Sequence, residues 1–248
     1  MKKLCLILIA MFFAGSLNGQ ISYLQYRHVP ADQDAKFLER ETKHWSKVAK
    51  SAIEKGQMKS WSLWKKVGIT NADEFTPNYV FVNTFENLDK MDLDKVWSDN
   101  MDAIGDVKME DIETSSFTTT TFDYFIQSED HVAGDYKYAL VNYAKPIDIT
   151  AFMQENKTLW KPVHEANVSN ILNNMTYWGM SSVIYPTGSL DRFSIFTVDG
   201  FNKLNHALEY LRYTETSDNS PNAAAWNDVL GKTKMDSLMP NGVERRII

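Results

Sequence analysis

The chain has 248 residues, 44% of them apolar, 23% charged and 12% aromatic, which excludes a disordered chain, a collagen-like fibre and a disulfide-stapled miniprotein. A formal charge of −6 lacks the clustered Lys and Arg that phosphate neutralisation needs, so nucleic acid is not an expected partner. The 13 Phe, 11 Tyr and 7 Trp can build a large core, each buried ring removing about 150–250 Å² from water.

Lys2 and Lys3 precede an apolar run from Leu4 to Gly15, and small and polar residues follow to Gln20. This is the layout of a secretory leader over residues 1–19, shorter than the roughly 20 apolar residues of a membrane span. The expected mature protein is secreted or periplasmic, without stable membrane insertion. Loss of the leader takes the formal charge from −6 to −8, since it carries two lysines and no acid. It also removes Cys5, the only thiol, so the mature chain has no thiolate nucleophile, disulfide or Cys-ligated metal.

Ile21–Val29 is rich in Tyr and Val and predicts a strand. Asp32 and Asp34 open a helix whose stripe is Phe37, Glu41, Trp45, Val48 and Ala52, and Gly56 ends it. A hairpin of 58–67 with Tyr79–Phe85 follows, in which Trp61 and Trp64, three apart, face opposite sides of the sheet. A second helix is expected over about Leu88–Ile104 and a closing strand over 117–127.

The same order then recurs. A strand at Tyr136–Tyr143 leads to a helix carrying Phe152, Asn156, Leu159, Val163 and Asn167, in which Pro162 should cause a kink. The hairpin pairs 175–184 with 192–198 across Pro186-Thr187-Gly188. Helical segments at 201–213 and 222–230 precede a last strand at 243–248. Phe37 and Trp45 recur as Phe152 and Trp160 at an offset of 115, Trp61 as Trp178 at 117, and Val80–Leu88 aligns with Phe193–Phe201 at 113. Two ferredoxin-like βαββαβ units are therefore expected, 20–128 and 129–248, each leaving one sheet face to be covered by the other.

The long first helix ending near Gly56, the Trp61 and Trp178 hairpins, and the strand-to-helix passages NTFENLDKM and TVDGFNKLN resemble the dimeric α+β barrel superfamily. That group contains antibiotic-biosynthesis-type monooxygenases, NIPSNAP-like proteins, haem-degrading monooxygenases and muconolactone isomerases. The resemblance implies an α+β fold in which two tandem repeats close an intrachain barrel, a monomer with an internal pseudo-dimer. It implies a small apolar or aromatic ligand held between helices and sheet, with monooxygenase- or isomerase-like activity. The alternative is a non-catalytic module with both clefts filled by side chains.

Two groups could carry chemistry. Glu41 and His44 lie three apart on the first helix, where a carboxylate could hold an imidazole as base. The alternative is an ordinary surface pair. In the second unit Trp160, Tyr177 and Trp178 could wall a flat ligand beside His164, acting as base or as a metal or haem ligand. The alternative is a structural histidine. The sequence requires no cofactor and does not exclude haem. The acidic stretch 86–113 lacks calcium-loop spacing and reads as a solvated face, so no metal site is expected.

Overall fold

Alternating residues on Ile21–His28 (β1) turn Leu24 and Tyr26 to one face of the sheet and Tyr23, Gln25 and Arg27 to the other. That alternation sets the plan of the whole computed structural model, which describes residues 19–68, 76–170, 172–189, 191–212 and 223–248. The leader falls outside these residues, apart from Gly19.

After β1 a continuous helix, α1 (34–54), runs as α-helix Asp34–Arg40, a π turn Glu41–Trp45 and α-helix Ser46–Glu54. Gly56, at φ +72°, closes it by donating to Ile53 O, while Gln57 donates to Ala52 O. Next come Ser60–Lys65 (β2), Tyr79–Phe85 (β3), two short helices Leu93–Ser98 (α2) and Met109–Ile112 (α3), and the long strand Thr119–Val132 (β4). The order then repeats: Tyr138–Ala144 (β5), α4 (149–170), Met175–Tyr185 (β6), Ile195–Phe201 (β7), Leu204–Leu211 (α5), Ala223–Leu230 (α6), Met235–Leu238 (α7) and Val243–Ile247 (β8).

The expected helix over 88–104 is instead broken into pieces. Asn87 and Asp92 each accept a backbone N–H three residues on, capping separate turns, and Asn100 donates back to Val96 O. The strand expected over 117–127 runs on to Val132, and the unit boundary drawn at 128/129 falls inside it. Its first part pairs with β1 and its last part with β6. In α4 a π turn, Asn156–Trp160, lies directly before Pro162. An equivalent π turn occurs in α1 without a proline, so proline is not its common cause.

All pairings are antiparallel, in the order β2-β3-β1-β4-β6-β7-β5-β8. The eight-stranded sheet curls until Val67, just beyond β2, donates to Ile247 O of β8 at 2.8 Å. Its concave interior is packed by Leu24, Tyr26, Val80, Tyr124, Ile126, Val141, Tyr143 and Phe193, joined by Trp64 and Tyr136. The helices cover the outer face, where Trp61 packs, so Trp61 and Trp64 do face opposite sides. Among the described residues no helix is long and apolar enough to cross a membrane.

Candidate functional site

Between α1 and the outer face of β1–β3 lies a cavity of about 790 Å³, within the range of small-molecule sites. Its apolar walls include Trp45 from the π turn, Trp61 from β2, Phe81 from β3 and Trp97 from α2. Trp45 and Trp97 meet edge to face at 5.9 Å, and Trp61 lies 6.0 Å from Phe81. The Trp45 indole N–H donates to Ile112 O at 2.9 Å, and Arg40 donates to Glu113 O, so the segment after α3 is pinned against α1 as a rim.

One polar chain crosses this apolar surface. Glu41, 4% exposed, accepts from Thr114 Oγ1 at 2.9 Å, and Thr114 in turn accepts from Arg27 Nη1 at 3.3 Å. Arg27 Nη2 donates to Gln25 Oε1 at 2.8 Å, Gln25 donates to the Tyr23 hydroxyl at 3.0 Å, and Tyr23 donates to Asp123 at 2.7 Å. Strand alternation makes this possible, because residues 23, 25 and 27 share one face. The guanidinium also lies 4.7 Å over the Phe81 ring.

Burial raises the Glu41 carboxyl from 4.5 to about 7, outweighing the Thr114 hydrogen bond and Arg27 charge that favour its ionised form. Burial likewise lowers the Arg27 pKa, against the opposing pull of Glu41. Glu41 is thus a carboxyl that changes charge near neutral pH inside an aromatic cavity. That combination is typical of acid–base groups.

Of the expected site residues, Glu41 lies in this cavity, but it does not bond to His44. A π turn closes i→i+5 and rotates position 44 away from position 41. His44 does not line the cavity, and among the described residues its Nδ1 has no hydrogen-bond partner.

The second-half group does not converge on one space. His164 stacks on Trp178 at 5.1 Å and 11°, with 7% and 1% exposure respectively. Tyr177, the next residue on β6, points to the barrel interior and packs on Tyr136 at 4.6 Å. Neighbours on a strand face opposite ways, so Tyr177 and Trp178 cannot wall one ligand. The Trp160 indole donates to Glu155 at 3.2 Å. Burial lowers His164 from 6.5 to about 4, making it a neutral packed ring at physiological pH.

Arg27, Thr114 and Asn83 were not singled out from sequence. Thr114 lies 73 residues from Glu41, and no local pattern announces that approach. For Arg27 a signal existed, since Gln25 and Arg27 are polar residues on the helix-facing side of a strand otherwise made for burial. Among the described residues no group of three His, Cys, Asp or Glu side chains could hold a metal ion.

No protein-family model matches the sequence, and a search of curated proteins returns no match. Solved structures match in fold. A protein from Lactobacillus acidophilus NCFM described as a "putative monooxygenase" superposes with a TM-score of 0.57 at 8% identity, covering 93% of both chains. An anthrone oxidase-like protein gives 0.51 at 7% identity, covering 92% of this chain and 89% of that one. A chlorite dismutase variant from Candidatus Nitrospira defluvii gives 0.48 at 10% identity, over 93% and 91%. The fold shared with the first two is a mixed α+β arrangement with a curled antiparallel sheet. At these identities the likeness concerns the fold alone.

Proposed function

We propose that this chain is an exported small-molecule-binding protein whose working cleft is the cavity of the first half, and that Glu41 exchanges a proton with a flat, largely apolar ligand there. Monooxygenase- or isomerase-like chemistry is the activity class, since proton-shift isomerisation and cofactor-free oxygenation of an acidic substrate by O2 both start with removal of a substrate proton. The observation that carries the reading is a carboxyl 4% exposed, lining a cavity walled by three indoles and raised to about 7.

The chain reads as a tandem duplication, 20–128 and 129–248. Three features support this: the repeated β-α-β-β-α-β order, matching strand orders on either side of the β4·β6 join, and π turns that both begin 115 residues apart, at Glu41 and Asn156. The second half, with His164 flat against Trp178, acts as packing.

This reading derives no step through haem: the cavity lining carries no histidine or cysteine, and its side chains that could hold an iron are Tyr23, whose hydroxyl donates to Asp123, and Met109. His164 lies outside this lining, its ring face covered by an indole.

The test is native mass spectrometry of protein purified from its own host, followed by assay of the identified ligand. Glu41→Gln should retain binding of that ligand and abolish any turnover. Unchanged turnover in Glu41→Gln, or a ligand found bound at the second half, would overturn the assignment.

A further inference from the structure

The inference concerns the charge of the ligand and rests on the cavity being a ligand site. Arg27 faces the cavity and, among the described residues, makes no ion pair. Among the described residues its guanidinium donates to two neutral groups, Thr114 Oγ1 and Gln25 Oε1, and its Nε–H has no partner. Glu41 is the nearby carboxyl, but the Thr114 hydroxyl stands between the two, donating to Glu41 while accepting from Arg27. A half-buried guanidinium lined only by neutral acceptors has a large unmet demand for negative charge.

The other charged groups do not meet that demand. Asp94 on α2 is at the exposed rim. Glu113 is held by Arg40 and by Ser115 and Ser116. Asp123 on β4 lies beyond Tyr23 at the far end of the hydrogen-bonded chain. His44 on α1 does not line the cavity.

We propose that Arg27 anchors an anionic oxygen of the ligand, that the ligand class is a planar aromatic acid (a phenol, an enol or a carboxylic acid), and that Glu41 carries the proton whenever that oxygen is ionised. The step balances: the ligand O–H breaks, its proton passes to Glu41 Oε, and the negative charge moves from Glu41 to the ligand oxygen beside Arg27. Glu41 and the ligand together carry one negative charge before and after. In a low-dielectric site this avoids both a second buried anion and an unpaired guanidinium. The Trp45, Trp61 and Trp97 walls select the planar body of such a ligand.

An anion that cannot be protonated separates this proposal from simple cavity binding. Calorimetric titration of the purified protein with 2-naphthalenesulfonate and with neutral 2-naphthalenemethanol, between pH 6 and 8.5 in buffers of different ionisation enthalpy, reads affinity and proton uptake together. The sulfonate should bind with uptake approaching one proton at pH 8, and its affinity should fall about tenfold per pH unit above 7. The alcohol should bind with no uptake and no slope. Glu41→Gln should remove uptake and slope for the sulfonate, and Arg27→Gln should weaken the sulfonate at least about tenfold more than the alcohol. Sulfonate binding without proton uptake overturns the proposal while leaving the cavity reading in place, and this arm needs no variant. A slope surviving in Glu41→Gln also overturns it. Failure of both compounds to bind overturns the cavity reading itself.

Discussion

Replacing Glu41 by Gln should stabilise the protein at pH 8 and do so only about a quarter as much at pH 5. The carboxyl titrates near 4.5 in the unfolded chain and at about 7 in the fold. An acid whose folded value is raised supports stability below the unfolded value and loses that support as pH rises through the folded one. At pH 8 the native state therefore carries an ionised carboxylate in a dry site, at a cost of at most about 3 kcal/mol relative to a neutral group. Glutamine keeps an oxygen to accept from Thr114 and removes the charge. For a domain of this size that corresponds to a melting temperature roughly 6–12 °C higher at pH 8. Other shifted groups, Asp199 at about 6 and His164 at about 4, titrate in both proteins and cancel in the difference. Thermal melts of the two proteins at pH 5 and pH 8 supply the comparison. A gap that is the same at both values would refute the assignment of Glu41 as a neutral-pH carboxyl.

Thr114→Val should push the Glu41 midpoint above 7, because the hydroxyl is the stronger of the two influences favouring ionisation; carboxyl NMR titration reads it, and an unchanged or lower midpoint contradicts the network. His164→Ala should cost about 2–5 kcal/mol at pH 7 by opening a void beside Trp178, with ligand uptake in the first half intact; denaturant melts that show no loss would restore His164 as a candidate for function. Between pH 6.5 and 4 the unfolded chain takes a proton that buried His164 refuses, so His164→Leu should gain stability relative to the wild type as acid melts descend through that window, against the opposite contributions of Glu41 and Asp199, which both proteins share. Gly200→Ala should destabilise by about 1–3 kcal/mol, since its Cβ would stand 2.6 Å from Tyr177 Cβ and 2.8 Å from Tyr136 Cγ; an unperturbed melt would mean that the Tyr136–Tyr177 pair is loosely packed.

Much of the frame was readable because it depends on periodicity. The stripe from Phe37 to Ala52 and the alternation of β1 and β3 follow directly from 3.6- and 2-residue repeats. What escaped was whatever depends on approach between distant segments. Thr114 reaches Glu41 only because Trp45 and Arg40 hold the segment after α3 against the helix, through bonds to backbone carbonyls that no side-chain pattern records. The π turn was also illegible, and it separates Glu41 from His44. The pairing of Tyr177 with Trp178 in one pocket, by contrast, conflicts with the 2-residue period of the strand that carries both, which turns adjacent side chains to opposite faces.

Taken as the tandem pair proposed above, the two halves differ at matched positions around the first-half cavity. Sheet register makes Trp61, opposite Asn83, topologically equivalent to Trp178, opposite Asp199, and makes Arg27, through Tyr79, equivalent to Ala144, through Ile195. At the start of the π turn the first half carries Glu41 and the second Asn156, whose amide donates to Phe152 O within its own helix. Each polar member of the first cleft thus has a self-satisfied or apolar counterpart in the second: guanidinium becomes methyl, and carboxyl becomes an amide closed on the backbone. Ala49 of α1 corresponds by the same 115-residue offset to His164, which covers the second indole, whereas a methyl group leaves Trp61 open to the cavity. The second half does bury one carboxyl, Asp199, but it accepts from the Asn142 amide at 2.9 Å and lies outside the cavity lining, whereas Glu41 opens into the cavity with a single hydroxyl donating to it.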